Sequence, residues 1–372
     1  MPDLGDLFAA GGDRGAQHMQ QLLEDPRVGQ ITCNAHDRIT FVDPSGPKRL
    51  ERVFAGPEQY IAWLNQLMAL TDVGFTDVLR TNCSVVEGSF LGSRTPVTGS
   101  IHICTPEITR GEPTLTVRKQ PHSIITLDHM YEQGMMSADM RVFLEQAVRG
   151  RSNILISGGS GAGKTTLTRA LSQFVDPAHR LVTVEEIDEL HVGDRLPDVV
   201  ALTTVRRRDS DGRLIRETSL DDLVRESLRM RADRVWVGET RGKEAYALVK
   251  ACNSGHDGSI TTIHADDGRQ AFRQVVTYVM ESGLSEQPAR EQVAWAFDLV
   301  VQINRVEMGR RAITEITELE GVIEGGSNQR QNRLYVYDQA HRQFRQETRP
   351  TQKFIYKWQR YGVNYDGIQG RL

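Results

Sequence analysis

The sequence predicts an α/β fold with a mostly parallel sheet, preceded by a smaller α+β domain. Three observations support this fold class. Short apolar runs alternate with helical patterns in the second half of the chain, a glycine-rich loop joins one such run to a helix, and the pattern changes near residue 125. The apolar runs are ILIS, LVTVE, VVALTTV, RVWVG, SITTIHA and LVVQI. Continuous runs of this kind are typical of parallel strands that are covered on both faces.

The chain has 372 residues, which favours more than one domain. We predict an N-terminal α+β domain over residues 1–122, an α/β domain over 123–324 and a C-terminal β-rich, basic and aromatic extension over 325–372. In the first part, residues 31–42 predict a strand, a turn and a strand, and a helix begins at Pro57. In the second part, Ser137 and Ser219 are predicted helix caps, and Asp222 completes a capping box with Ser219.

Composition excludes several classes of protein. A net charge of -4 gives no strong case for nucleic-acid binding by the whole molecule. The four cysteines lack C-x-x-C spacing, which argues against a zinc ribbon. No run approaches the roughly 18 uninterrupted apolar residues of a membrane span, and the N-terminus lacks the features of a signal peptide. These patterns predict a cytoplasmic protein.

The glycine-rich stretch GGSGAGKTT carries the strongest chemical signal. Residues 158–165 fit G-x-x-x-x-G-K-[ST] between a predicted strand and a predicted helix, which is the context of a Walker A phosphate loop. Backbone N–H groups of such a loop surround phosphate oxygens, the lysine reaches the β- and γ-phosphates, and the hydroxyl binds Mg²⁺. The sequence therefore predicts ATP and Mg²⁺ as ligands. The residues expected to hold them are Gly158, Gly159, Ser160, Gly161, Ala162, Gly163, Lys164, Thr165 and Thr166.

Acidic and histidine side chains follow three other predicted strands. Glu185 and Glu186 end the run LVTVE and Glu239 follows RVWVG, so they are candidates for the magnesium site and for positioning the attacking water. Considered alone, each of these acids is more often a solvated surface residue. His256 and His264 flank the run SITTI, and we place both with the acids on the carboxyl edge of the sheet, where His264 could contact the γ-phosphate.

These motifs together resemble the type II/IV secretion ATPases, and most closely the branch that drives Tad-type pilus assembly, which is related to VirB11-type ATPases. The resemblance covers about residues 86–319. It rests on the Walker A loop, an acidic box at Glu185 and Glu186, an atypical Walker B segment at Glu239 with Arg241 after it, and a histidine box from His256 to His264.

The resemblance implies a RecA-like P-loop ATPase domain behind a PAS-like sensor domain, assembled as a homohexamer on the inner face of the cytoplasmic membrane with a membrane platform protein as partner. It also implies that ATP lies between the two domains and meets arginines there. The candidates are Arg94, Arg118 and Arg206, and the choice among Arg206, Arg207 and Arg208 stays open.

Two other functions use the same loop. A RecA-like DNA-translocating or conjugation ATPase would make use of the basic tail after residue 342, whereas a P-loop kinase would leave the histidines unexplained. The tail itself has two interpretations. It is either a surface for a partner or an acidic lipid, or a solvated strand pair whose aromatic residues pack on the ATPase domain.

Overall fold

The computed structural model describes residues 14–43, 45–50, 53–69, 80–84, 98–104, 106–120, 125–208, 214–322 and 329–365. The chain forms two compact units. The first contains Met1–Ser123 and Arg206–Glu217, and the second contains Ile124–Val205 and Thr218–Leu372. The hairpin near residue 206 therefore belongs to the first unit, although in the sequence it is preceded and followed by segments of the second unit.

The first unit is built on a six-stranded antiparallel sheet of order β3-β2-β1-β6-β5-β4. Its strands are β1 Gln30–Ala35, β2 Arg38–Asp43, β3 Gly46–Leu50, β4 Arg80–Ser84, β5 Thr98–Cys104 and β6 Thr114–Gln120. Its helices are α1 Arg14–Glu24, α2 Pro57–Ala69 and α3 Pro106–Thr109. The predicted strand pair over 31–42 and the helix beginning at Pro57 are confirmed. Residues of α1, α2 and the sheet, including Met19, Trp63 and Val117, form one core.

The second unit contains most of the remaining elements. Its helices are α4 Leu127–Glu132, α5 Ala138–Arg149, α6 Lys164–Leu171, α7 Leu220–Ser227, α8 Glu244–Asn253, α9 Gly268–Met280, α10 Glu286–Ala296 and α11 Gln352–Arg360. Its strands are β7 Ile154–Ser157, β8 Leu181–Glu185, β9 Val199–Thr203, β12 Arg234–Val237, β13 Ile260–Ile263, β14 Leu299–Arg305, β15 Arg311–Val322, β16 Gln329–Asp338 and β17 Gln343–Gln346. Strands β10 Val205–Arg208 and β11 Leu214–Thr218 form a separate two-stranded sheet.

The large sheet has nine strands in the order β17-β16-β15-β14-β7-β13-β12-β8-β9. All neighbours from β14 to β9 are parallel, whereas β15, β16 and β17 add antiparallel strands at one side. Successive residues of β7 enter different cores, because Ile154 and Ile156 pack on one face and Leu155 packs on the other. Burial on both faces explains why these strands are uninterrupted apolar runs, and the predicted mostly parallel sheet is confirmed.

The predicted caps are present. The Ser137 hydroxyl accepts a hydrogen bond from the Met140 N–H at 3.2 Å at the start of α5. Ser219 and Asp222 form a reciprocal capping box at the start of α7. Each cap satisfies backbone donors that the first helical turn leaves without a partner.

The C-terminal stretch differs from the predicted strand pair, because it forms one strand, β17, followed by the helix α11. Thr351 caps this helix, and its N–H donates to the buried Glu318 carboxylate at 2.9 Å. Phe354 and Trp358 lie one turn apart on the buried side, and the Trp358 ring centroid is 5.2 Å from that of Phe143 on α5. The aromatic residues therefore pack on the second unit as expected, but from a helix rather than a strand pair.

A buried ion network also attaches α11 to the sheet. The Lys357 ammonium lies 2.6 Å from an Asp298 carboxylate oxygen and 2.7 Å from an Asp257 oxygen, and the Tyr361 hydroxyl donates to Asp257 at 2.6 Å. Burial raises the pKa of Asp298, and the ammonium opposes that rise.

A helix long and apolar enough to cross a membrane does not occur among the described residues.

Replacing Trp358 with alanine should lower the free energy of unfolding of the second unit by about 3–5 kcal/mol, because the change leaves a cavity between α11 and α5. Tyr356 provides a matched control, since it lies on the same helix but is 63% exposed. Tyr356→Ala should change stability by less than about 0.5 kcal/mol. Chemical denaturation followed by far-UV circular dichroism measures both, and equal effects would contradict the packing of α11.

Candidate active site at the glycine-rich loop

At two positions of the loop between β7 and α6, a residue other than glycine would clash with a neighbouring strand or strain the backbone. A Cβ atom on Gly158 would lie 2.2 Å from the Ile303 carbonyl oxygen of β14. Gly163, which precedes α6, has a φ of 109°, a left-handed conformation that favours glycine. The loop therefore fits closely against β14 and presents the first turn of α6, with the half-buried Thr165 and Thr166, at the carboxyl edge of the sheet.

The Lys164 side chain is only 7% exposed and folds back over the loop. Its ammonium donates to the Gly158 carbonyl oxygen at 2.9 Å and to the Gly159 carbonyl oxygen at 3.2 Å. A third neighbour is Nδ1 of His264, which lies 3.2 Å from the ammonium. The lysine is thus held with its charge in the space that the glycine backbone encloses.

His264 connects this lysine to the acid at the end of β12. Its Nε2 lies 2.7 Å from Oε1 of Glu239, and the other carboxylate oxygen of Glu239 pairs with Arg241. Arg241 also lies 3.3 Å from a Glu186 carboxylate oxygen. The contacts join Lys164, His264, Glu239, Arg241 and Glu186 in one chain that runs across the ends of neighbouring strands.

The contact with Lys164 indicates which ring nitrogen of His264 carries the hydrogen. An ammonium can only donate, so we assign Nδ1 as its acceptor and the hydrogen to Nε2. Nε2 then lies 2.7 Å from Oε1 of Glu239, but the directions of the two groups leave this buried oxygen without a hydrogen bond from any residue that the structure describes. The Glu239 oxygen is therefore close to the histidine and still has an acceptor position to fill.

Glu185 has a different environment from Glu239. It is 4% exposed, and one carboxylate oxygen accepts the Glu189 N–H at 3.1 Å and the Leu190 N–H at 3.2 Å. A Cβ atom on Gly238 would lie 2.9 Å from its Cγ, so glycine leaves the space that this side chain fills. Burial, followed by the nearby charge of Asp188, raises the pKa of Glu185 well above its ordinary value. In this structure the side chain orders the turn after β8.

The magnesium site stays a prediction. Within the described ranges, no three or more His, Cys, Asp or Glu side chains are grouped as a preformed metal site. The donor set nevertheless fits a magnesium ion that also binds phosphate, because such ions take one or two protein oxygens and complete their shell with phosphate and water. The Thr165 hydroxyl and the carboxylates of Glu239 and Glu186 are suitable oxygens.

His256 does not lie with the other predicted residues. Strand β13 runs parallel to β7, with Ile260 beside Ile154 and Ile263 beside Ser157. His264 therefore follows β13 at the carboxyl edge, whereas His256 precedes it at the opposite, amino edge. There the His256 Nδ1 lies 3.3 Å from the Ala251 carbonyl oxygen. Our placement of both histidines on the carboxyl edge is wrong, because a four-residue strand separates them.

The predicted arginines that the structure describes, Arg118 and Arg206, belong to the first unit. Arg118 is an exposed residue of β6 in the first unit. Arg206 lies in β10, which also carries Arg207 and Arg208. Arg94 falls outside the described residues. Roles for these arginines stay predictions.

The sequence did not predict one contact with the phosphate loop, which is made by Arg305. Arg305, at the end of β14, donates to the Gly161 carbonyl oxygen at 3.3 Å. The run LVVQINR does contain a signal, because the arginine ends a parallel strand at the same edge as Glu239. The rule that selected the acids also applies to this basic residue.

Comparison with known proteins identifies the family. A family model described as type II/IV secretion system protein matches residues 100–307, more than half of the chain. The chain belongs to this family. The predicted resemblance to secretion ATPases is thereby confirmed.

Two family relatives differ in how much of their length aligns. The conjugal transfer protein TrbB of Rhizobium radiobacter is 30% identical over 325 residues, which cover 82% of this chain and 94% of TrbB. The type IV secretion system protein VirB11 of Bartonella quintana is 36% identical over 194 residues, which cover 51% of this chain and 52% of VirB11. The chain therefore spans nearly all of TrbB and about half of VirB11.

A solved family structure confirms the fold. The X-ray structure of the Legionella pneumophila ATPase DotB matches with a TM-score of 0.55 over 80% of this chain and 79% of DotB, at 17% identity. At this identity the likeness concerns the fold alone. It supports the predicted RecA-like P-loop architecture, with a further strand, β13, between the strand of the loop and the strand of Glu239.

Replacing Glu185 with glutamine should change how stability depends on pH. A pKa that is raised in the folded state means that the wild type loses stability as pH rises above the ordinary value, because folding then opposes ionisation. Glutamine cannot ionise and its carbonyl can accept the same N–H groups. Between about pH 5 and about pH 8, Glu185→Gln should gain stability relative to the wild type in urea denaturation.

A slope unchanged by Glu185→Gln would mean that Glu185 ionises as easily in the folded chain as in the unfolded one.

Proposed function

We propose that the chain is an ATP-hydrolysing motor of a bacterial secretion or pilus-assembly machine, converting ATP and water to ADP and phosphate. One observation carries the proposal. The Lys164 ammonium is held in a glycine backbone loop and is connected through His264 to the Glu239 carboxylate. Binding of a triphosphate and positioning of water need these groups together.

Each group has a distinct task in this proposal. The N–H groups of the loop and of the first turn of α6 bind phosphate oxygens, and Lys164 balances the β- and γ-phosphate charges. Glu239 orients the attacking water, and His264 holds that carboxylate close to the γ-phosphate. Thr165 and Glu239 would hold a magnesium ion, which would supply positive charge to the phosphate oxygens.

The finer parts of the proposal rest on family membership. The motor works as a homohexameric ring in the cytoplasm, at the inner face of the cytoplasmic membrane, and a membrane platform protein receives its motion. The motifs resemble most closely the branch that drives Tad-type pilus assembly, so a Tad-type pilus is the first machine to test. Membership of the type II/IV secretion system family supports such a role in general.

One comparison favours a second candidate. TrbB, which aligns with 82% of this chain, is named a conjugal transfer protein. A conjugation motor that acts on DNA would show hydrolysis stimulated by DNA and DNA binding that weakens steeply with salt. A motor that moves protein subunits would show neither. ATPase assays with and without single-stranded and duplex DNA separate the two.

Lys164→Ala should abolish turnover and weaken magnesium-dependent ATP binding by at least about a hundredfold, because the phosphate charge loses its buried partner. Titration calorimetry of the assembled protein measures the affinity. Lys353→Ala removes the same charge from the exposed side of α11 and should bind ATP as the wild type does. Wild-type protein that is folded and assembled but binds no ATP would overturn the proposed function.

Glu239→Gln should preserve ATP binding and reduce hydrolysis by about 10²- to 10³-fold or more, because an amide keeps the shape of the side chain but cannot act as a base. Phosphate release measured at saturating ATP gives the rate. Glu226→Gln alters an exposed acid of α7 and serves as the control. If Glu239→Gln hydrolysed ATP at the wild-type rate, another residue would have to position the water.

A further inference from the structure

The turn between β14 and β15 lies beside the phosphate loop. It is on the side away from His264, because β14 and β13 lie on opposite sides of β7. The backbone closes this turn, since the Val306 N–H donates to the Arg310 carbonyl oxygen at 2.7 Å. Arg305 enters the turn and directs Nη2 to the Gly161 carbonyl oxygen at 3.3 Å. In the part of the chain that the structure describes, the Arg305 guanidinium has no carboxylate within 4.0 Å. Its one recorded partner is therefore the phosphate loop.

The other end of the same turn is fixed independently of the loop. Arg310 donates from Nη2 to the Tyr337 hydroxyl at 2.7 Å and from Nη1 to the Gly134 carbonyl oxygen at 3.3 Å. The Tyr337 hydroxyl also donates to Glu307 at 3.2 Å. These contacts attach the turn to β16 and to the α4–α5 connection. Arg305 thus reaches the loop from a fixed support.

The direction of the Gly161 carbonyl affects the conformation of the loop. In a trans peptide, the carbonyl oxygen and the following N–H point in opposite directions. A guanidinium that holds the Gly161 oxygen on one side consequently directs the Ala162 N–H to the other side, where it donates to the Gly159 oxygen at 3.2 Å. Because Gly161 has a φ of 66° and no side chain, this peptide would otherwise rotate easily.

We propose that Arg305 is a positioning residue for nucleotide binding, acting through the Gly161 peptide to keep the loop in its binding conformation. The inference rests on the proposed function, since it concerns the same triphosphate site. Holding the loop in place before binding reduces the ordering cost of binding. The effect should appear in affinity for any ligand with the same phosphates, whether or not a nucleoside is attached.

The test measures affinity for Mg²⁺-ATP and for Mg²⁺-tripolyphosphate by titration calorimetry on the full chain. Arg305→Ala should weaken both affinities about tenfold, which is about 1.4 kcal/mol. Arg305→Lys should recover most of the loss, because an ammonium can donate to the same carbonyl oxygen. This recovery would not be expected if the guanidinium only supported the fold.

Arg345→Ala is the matched control, since it removes an exposed arginine of β17 whose partners are Asp338 and Glu347 instead of the loop. It should leave both affinities within about twofold of the wild type. Wild-type affinity in Arg305→Ala, or equal weakening by Arg305→Ala and Arg345→Ala, would overturn the inference. Failure of the wild type itself to bind Mg²⁺-ATP would instead overturn the proposed function.

Discussion

Burial of the Lys164 ammonium inside its own loop is the constraint on which the site depends. A buried cation needs acceptors, and here they are the carbonyl oxygens of Gly158 and Gly159 together with the Nδ1 atom of His264. These acceptors come from two neighbouring strands, so the parallel sheet has to bring their ends together. The conformation of the glycine backbone and the imidazole tautomer both follow from satisfying this one charge.

Much of the fold was predictable because strands buried on both faces and capped helices have local signatures. The Ser219 capping box and the run ILIS are examples. The C-terminal helix was missed because the aromatic and β-branched residues of FIYKW favour strands by propensity. The spacing of Phe354 and Trp358 indicated a helix, and burial of both against Phe143 outweighs the propensity.

The site was predictable to the extent that its residues end parallel strands. That rule selects Glu239 and His264, which the structure brings close to Lys164, and it applies equally to Arg305. It fails for His256, because spacing in the sequence does not show on which edge of the sheet a residue lies. Glu185 also ends a strand, but its hydrogen bonds to the turn at residues 189–190 depend on how the chain continues after β8. Strand ends identify candidates, and neighbouring backbone decides how each one is used.

Strand β13 runs from the amino edge of the sheet to its carboxyl edge and connects contacts at both. At its carboxyl end His264 contacts Lys164, and at its amino end the loop containing Asp257 is held by Lys357 of α11. Breaking a buried ion pair leaves an uncompensated charge, so this attachment resists displacement of the loop. Strand β13 itself is short and fully buried, and it pairs with β12 on one side and β7 on the other. A movement of His264 along the strand axis would therefore strain the contacts of the C-terminal helix with the loop that contains Asp257.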